Sequence, residues 1–147
     1  MTRPMQPPDR QPLGFWTLRA GETIRARTRG ALAEIGVTQP EWWVLHQLSL
    51  HPGGVPRDDV IGTVGPNDTP EAIVAALRSV AANGWSRDDG ATIALTTAGR
   101  ERFERAAEVQ AALQRERMQG ISTEDFATTI TVLQKTIDNL GGTAWHW

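Results

Sequence analysis

Apolar positions recur every three to four residues along most of the chain, and only one short stretch alternates. The first pattern belongs to helices buried on one side, the second to a half-buried strand. Leu13, Trp16, Ala20, Ile24, Ala31 and Ile35 predict a first helix from Leu13 to about Ile35, stopped by Gly36. Thr38 is placed to cap a second helix with Pro40 in its first turn, and Trp42, Leu45 and Leu48 form its core face. Pro52-Gly53-Gly54 ends it, and Pro56 opens a short third helix that runs to about Val64. Gly65-Pro66-Asn67-Asp68 reads as a turn. A fourth helix starts near Thr69-Pro70, buries Ile73, Ala76, Leu77 and Val80, and stops at Asn83-Gly84. Ile93 and Leu95 alternate behind an Asp89-Gly90 turn and predict a small hairpin. A long fifth helix follows from Thr96 or Thr97 to about Gln119, where Gly120 breaks it.

The last helix carries the clearest signals. Ser122 and Asp125 suit a capping-box-like start, and Ile121 with Phe126 would staple it. Its stripe of Phe126, Ile130, Leu133, Ile137 and Leu140 advances in steps of four, three, four and three, the spacing of a seam that packs on another helix. Gly141-Gly142 ends it, and Thr143 to Trp147 form a tail holding two indoles. One seam helix cannot bury its stripe alone. A homodimer is therefore expected, with an intrachain bundle as the alternative. At the other end, Pro4, Pro7, Pro8 and Pro12 block a helix, so residues 1–12 are expected to form a flexible arm.

Composition narrows the function classes. A chain of 147 residues is one domain and buries a core of ordinary size. Cysteine is absent, which excludes disulfides, thiolate metal sites and a cysteine nucleophile. His46 and His51 are five residues apart, off a shared helical face, and His146 stands in the tail, so no metal site is expected. There is no phosphate loop, dinucleotide fingerprint or Ser/His/Asp signature, and no cofactor is expected. If the protein were an enzyme, His46 is the one well-placed acid or base. No apolar run approaches the roughly 18 residues of a membrane span, and the proline-rich start lacks a signal-peptide core. The expected compartment is the cytoplasm, with no membrane partner.

Four stretches together resemble the MarR family of winged-helix regulators. They are Thr38-Gln39-Pro40-Glu41-Trp42-Trp43-Val44-Leu45, Leu95-Thr96-Thr97-Ala98-Gly99-Arg100, and Gly120-Ile121-Ser122-Thr123-Glu124-Asp125-Phe126 with Asn139-Leu140-Gly141 beyond it. The likeness covers about residues 13–141. It implies a mainly α fold: a winged helix-turn-helix over 36–96 with a small β-hairpin wing, flanked by dimerisation helices at 13–35 and 97–141, with 142–147 as an aromatic tail. It further implies double-stranded DNA read by the fourth helix and wing, and a small-molecule ligand bound between the two regions.

The residues at the reading positions pull against part of that implication. Between Pro56 and Gly90 the basic residues are Arg57, Arg78 and Arg87, against six acids, a local charge of −3. Phosphate contact needs the opposite sign. Outward positions of the fourth helix hold Glu71, Val74, Ala75, Arg78 and Ala82, and the shortened wing sets Arg87 beside Asp88 and Asp89. Arg57, Arg78 and Arg87 are the candidate DNA contacts. Residues 1–30 hold six Arg against two acids, a local +4 that suits a solvated face, flanking phosphates or an anionic ligand.

For the ligand, the candidate residues are Trp16, Arg19, Trp43, His46 and Arg105. With Trp42 on the core face, Trp43 is turned about 100° away, toward the cleft, a partner or solvent. His46 is three residues on and shares its face, and the pair suits a flat, partly polar ligand. Trp16 offers an opposing wall, and Arg19 and Arg105 offer charge for a carboxylate. Each also has a plainer reading: core packing for the indoles, an ordinary surface histidine, and helix-surface ion pairs for the arginines. Two functions remain open at this point. One is a ligand-responsive transcriptional regulator with atypical DNA readout. The other is a repurposed member of the same fold that binds or transforms a small molecule without reading DNA.

Overall fold

A computed structural model describes residues 3–146; Met1 and Thr2 of the expected arm and Trp147 of the expected tail lie outside the described residues. Six helices and one hairpin appear in the predicted order: α1 (Leu13–Ala33), α2 (Gln39–Ser49), α3 (Arg57–Val64), α4 (Pro70–Ala82), β1 (Ser86–Asp88), β2 (Ile93–Leu95), α5 (Thr97–Arg117) and α6 (Thr123–Asn139). Two 3-10 turns accompany them, one where Gly65-Pro66-Asn67-Asp68 predicts a turn and one within the arm expected to be flexible. Gly65–Asn67 continues α3, and Pro8–Arg10 gives the proline-rich arm a turn that Pro residues suit because it asks little of their missing N–H groups.

The core lies within the helix-turn-helix and the last turns of α1. Leu32, Val44, Leu45, Leu48, Val60, Val64, Ile73 and Val80 are completely enclosed. The four inward positions of α4 are those the periodicity predicts, Ile73, Ala76, Leu77 and Val80. In α2 the inward positions are Val44, Leu45 and Leu48, with Glu41 and Gln47 beside them. Trp42, expected in the core, is instead half-buried at its edge and stacks on Phe103 of α5, ring centroids 5.7 Å apart and planes 5° from parallel. The inward ridge belongs to the slimmer Val44 and Leu48, four residues apart, which lets α2 approach α4 more closely than an indole would.

Glu41 joins those two helices. Its backbone N–H donates to Thr38 Oγ1 at 3.2 Å while its Oε1 accepts from the Thr38 N–H at 2.9 Å, a complete capping box. The other carboxylate oxygen accepts from Ser79 Oγ at 2.9 Å and from Asn83 Nδ2 at 3.4 Å, both on or just past α4. The carboxylate is nearly enclosed, and these donors replace the water it loses.

Wing and α5 meet at a glycine. A Cβ on Gly99 would stand 1.8 Å from the Trp85 carbonyl oxygen, so only glycine admits this approach. Thr96 caps α5 by accepting from the Gly99 N–H at 3.0 Å, and its hydroxyl donates to the Gly84 carbonyl at 2.6 Å. The hairpin pairs Ser86 with Leu95, Arg87 with Ala94 and Asp88 with Ile93, and Val55 adds a bridge to Ile93.

Outside this core the terminal helices are sparsely covered. In α6 no residue is buried: Phe126, Ile130 and Ile137 stay about 40% exposed and Leu140 83%. The first turns of α1 likewise leave Leu13, Phe15, Trp16, Leu18 and Ile24 exposed. Arg27 joins α1 to α5 by two hydrogen bonds to Glu116 at 3.0 and 3.1 Å. Both groups face solvent, which screens the pair. Among the described residues, no helix is long and apolar enough to cross a membrane.

Candidate ligand cleft and nucleic-acid interface

The helix expected to read DNA is α4, whose cap is Thr69: its hydroxyl accepts from the Ala72 N–H at 3.2 Å. With its apolar side buried, α4 turns Glu71, Ala75, Arg78 and Ala82 to solvent, and Val74 is half-covered. Arg57 at the start of α3, Arg78 on α4 and Arg87 on β1 are all exposed, so each of the three candidate DNA contacts is open to a partner. The wing tip is built by acids. Asp88 accepts from the Gly90 N–H at 2.8 Å, and Asp89 accepts from Ala91 and Thr92 N–H groups at 3.0 and 2.8 Å. Those bonds, Thr92 foremost and then Ala91, hold the Asp89 carboxyl below the usual carboxylate range. The tip is therefore a rigid turn that keeps its negative charge.

A cavity of about 1020 Å³ opens where α1, α2, α5 and the start of α6 converge. Trp16, Trp42, Trp43, Met118 and Phe126 line it, and Arg19 is at its edge. Trp16, Arg19 and Trp43 thus meet at one cavity from two helices. Trp16 is held by a 2.6 Å hydrogen bond from its Nε1 to Gln11 Oε1 and by an edge-on contact with Phe15. Arg19 lies over the Phe15 ring, 5.1 Å from its centre.

His46 faces an adjoining chamber of about 470 Å³ that shares Trp42 and Trp43 with the larger one. Its ring lies 5.4 Å from that of Trp42, one helical turn before it. Phe103 lies 6.3 Å away. Burial, and secondarily the nearby His146, push the His46 imidazole below its ordinary pKa.

Arg105 is not brought to either chamber. It extends from an exposed part of α5 to Glu108, 3.4 Å away, as an i,i+3 pair beside a separate hollow. Sequence reasoning missed Trp42, Phe103, Arg25 and His146. The four-residue step from Trp42 to His46 was a usable signal for the first; the others come from distant parts of the chain and carry no local one. Among the described residues no group of three or more His, Asp or Glu is arranged to hold a metal ion.

Three packed helices with a two-stranded wing, carried between long terminal helices, define a winged-helix protein, with an aromatic cleft at the joint between the head and those helices. No protein-family model and no curated protein matches the sequence. Solved structures do. The MarR family protein Rv2887 of Mycobacterium tuberculosis, crystallised with DNA, superposes with a TM-score of 0.68 at 26% identity, over 86% of this chain and 98% of that one. The same protein with salicylic acid gives 0.66 at 26% identity, over 87% and 98%. A MarR family regulator from Silicibacter pomeroyi gives 0.75 at 19% identity, over 87% and 92%, a likeness of fold. The chain has the winged-helix fold of these MarR family proteins.

Proposed function

We propose that the protein is a homodimeric, ligand-responsive transcriptional regulator. In this reading 36–96 is the DNA-reading head, 13–35 and 97–141 are the dimerisation region, and a second copy of the chain covers the exposed stripe of α6. The observation that carries it is the position of the cleft. Its walls come from α2 of the head and from α1, α5 and α6 outside it, so an occupant bears on how the head is held. A ligand that binds one arrangement of the two heads better than another shifts the population toward it. Half-sites one DNA turn apart, roughly 34 Å, are then met in one arrangement and missed in the other. Arg57, Arg78 and Arg87 supply the DNA contacts; Trp16, Arg19, Trp43 and His46 supply the ligand contacts. Rv2887 has been crystallised both with DNA and with salicylic acid, which supports the pairing of the two activities.

A second reading rests on the head's charge. Three arginines face six acids between Pro56 and Gly90, and the wing tip is anionic. A MarR fold that keeps its cleft and has given up DNA fits those residues. An equilibrium binding assay on the DNA upstream of the protein's own gene separates the two. At low salt, where phosphate attraction is strongest, the regulator reading expects a saturable complex that millimolar salicylate weakens. No complex at any protein concentration tested supports the second reading.

A further inference from the structure

Away from the aromatic cleft, α2 and α3 leave a hollow of about 400 Å³ between them. Gln47 of α2, His51 just past its end, and Asp58, Asp59 and Thr63 of α3 line it. Val55 forms part of its wall, and a pair of backbone hydrogen bonds with Ile93, at 2.9 and 2.8 Å, ties that wall to the wing.

Gln47 is the unusual member. It is only 6% exposed, and its Oε1 is shut from solvent with no hydrogen-bond partner among the described residues. A polar atom stripped of water and left unpaired is costly, and folded proteins hold few of them. The terminal torsion of glutamine is broad, so a small turn presents this oxygen to whatever fills the hollow. The charge around it has one sign. No arginine or lysine lines the hollow, and among the described residues neither the Asp58 nor the Asp59 carboxylate accepts a hydrogen bond or an ion pair. Both acids stand in the first turn of α3, where the helix dipole favours them. That accounts for the acids but not for a buried, unpaired amide on the helix opposite.

We propose that this hollow binds a small alkyl diammonium ion. One ammonium group donates to Gln47 Oε1 and to a carboxylate, and the other pairs with the second carboxylate. An ammonium group has three N–H donors and no acceptor, which matches a lining of amide, carboxylate and hydroxyl oxygens. A bare metal ion fits less well, because among the described residues no group of three or more His, Asp or Glu is placed to hold one. Size points the same way: about 400 Å³ is far more than an ion fills and lies toward the lower end of the roughly 300–1,000 Å³ of small-molecule pockets. Between Pro56 and Gly90 three arginines face six acids, a local −3, and a dication held there offsets most of that charge. The site is independent of the aromatic cleft and of the three arginines assigned to DNA.

The test is calorimetric titration of the full chain with 1,4-diaminobutane, its neutral analogue 1,4-butanediol, and magnesium chloride. Salt is held at about 0.1 M, where attraction beyond about 10 Å is screened. One diamine should bind per chain, at least tenfold more tightly than the diol or magnesium. Gln47→Met removes the amide and keeps the length of the side chain. It should lower diamine affinity several-fold while the melting temperature stays the same or rises, since an apolar group is at ease where an unpaired amide was not. Asp59→Asn, on the open side of the hollow, should also lower the affinity. Magnesium or the diol binding as tightly as the diamine overturns the proposal, as does diamine affinity unchanged in both variants. Absence of diamine binding to the full chain overturns it as well.

Discussion

Glu41 performs two tasks with one carboxylate: it closes the capping box of α2 and accepts hydrogen bonds from Ser79 and Asn83 at α4. Replacing it removes the Glu41 half of the capping box and the shared acceptor of Ser79 Oγ and Asn83 Nδ2, hydrogen bonds worth about 0.5–1.5 kcal/mol each. Glu41→Ala should therefore lower the unfolding free energy by about 1–3 kcal/mol in urea titrations, and a loss below about 0.5 kcal/mol would remove this role. His46 makes a different prediction. Its folded pKa lies below the ordinary 6.5, so between those values the unfolded chain binds more protons. Stability from this residue is complete above pH 6.5 and is lost as pH falls through the lowered value. A His46→Gln variant should lose that part of the acid slope; an unchanged slope assigns it elsewhere. Arg78 is the one cation on the outward side of α4. If it reads a base, Arg78→Ala should weaken specific DNA binding by about 1–3 kcal/mol and relax preference at one position; undiminished affinity excludes it.

At the scale of elements, α4 was legible in the sequence because it is buried strictly on one side, and its four inward residues alone set the period. Trp42 misled because bulk and apolarity say that a side chain wants cover, not which neighbour gives it. Here the cover is Phe103, sixty-one residues later in the chain. Arg105 misled in the opposite way: a cation on a cleft-forming helix need not face the cleft, and its place around α5 turns it to a separate hollow. The meeting of Arg25, His46 and His146 at the smaller chamber was not legible, because it depends on three elements packing and on the left-handed Gly141 that ends α6. Leu95-Thr96-Thr97-Ala98-Gly99 did show where the wing joins α5, and the contact explains the motif. Gly99→Ala would press a methyl group into the Trp85 carbonyl, 1.8 Å from the ideal Cβ, and something must shift. Overpacking of this kind costs about 1–3 kcal/mol or more. A melting temperature lowered by several degrees is expected, and an unchanged one contradicts the close approach.

For the whole molecule, the uncovered stripe on α6 was readable as a spacing of fours and threes before any neighbour for it was known. The fold leaves Phe126, Ile130, Ile137 and Leu140 exposed, and the proposed dimer covers them. A pair of charges on that stripe, Ile130→Glu with Ile137→Glu, should halve the mass seen by light scattering while the head keeps its helical signal. An unchanged mass places the interface elsewhere. The central claim joins such a dimer to DNA through few cations, and a salt titration of operator affinity tests it most directly. Three arginines on each of two heads give at most six phosphate contacts, so log affinity against log salt should fall with a slope no steeper than about −5. Binding at low salt with a slope in that range is the predicted result. No binding at 50 mM salt, or a slope near −10 that demands many more cations than the heads carry, would contradict it.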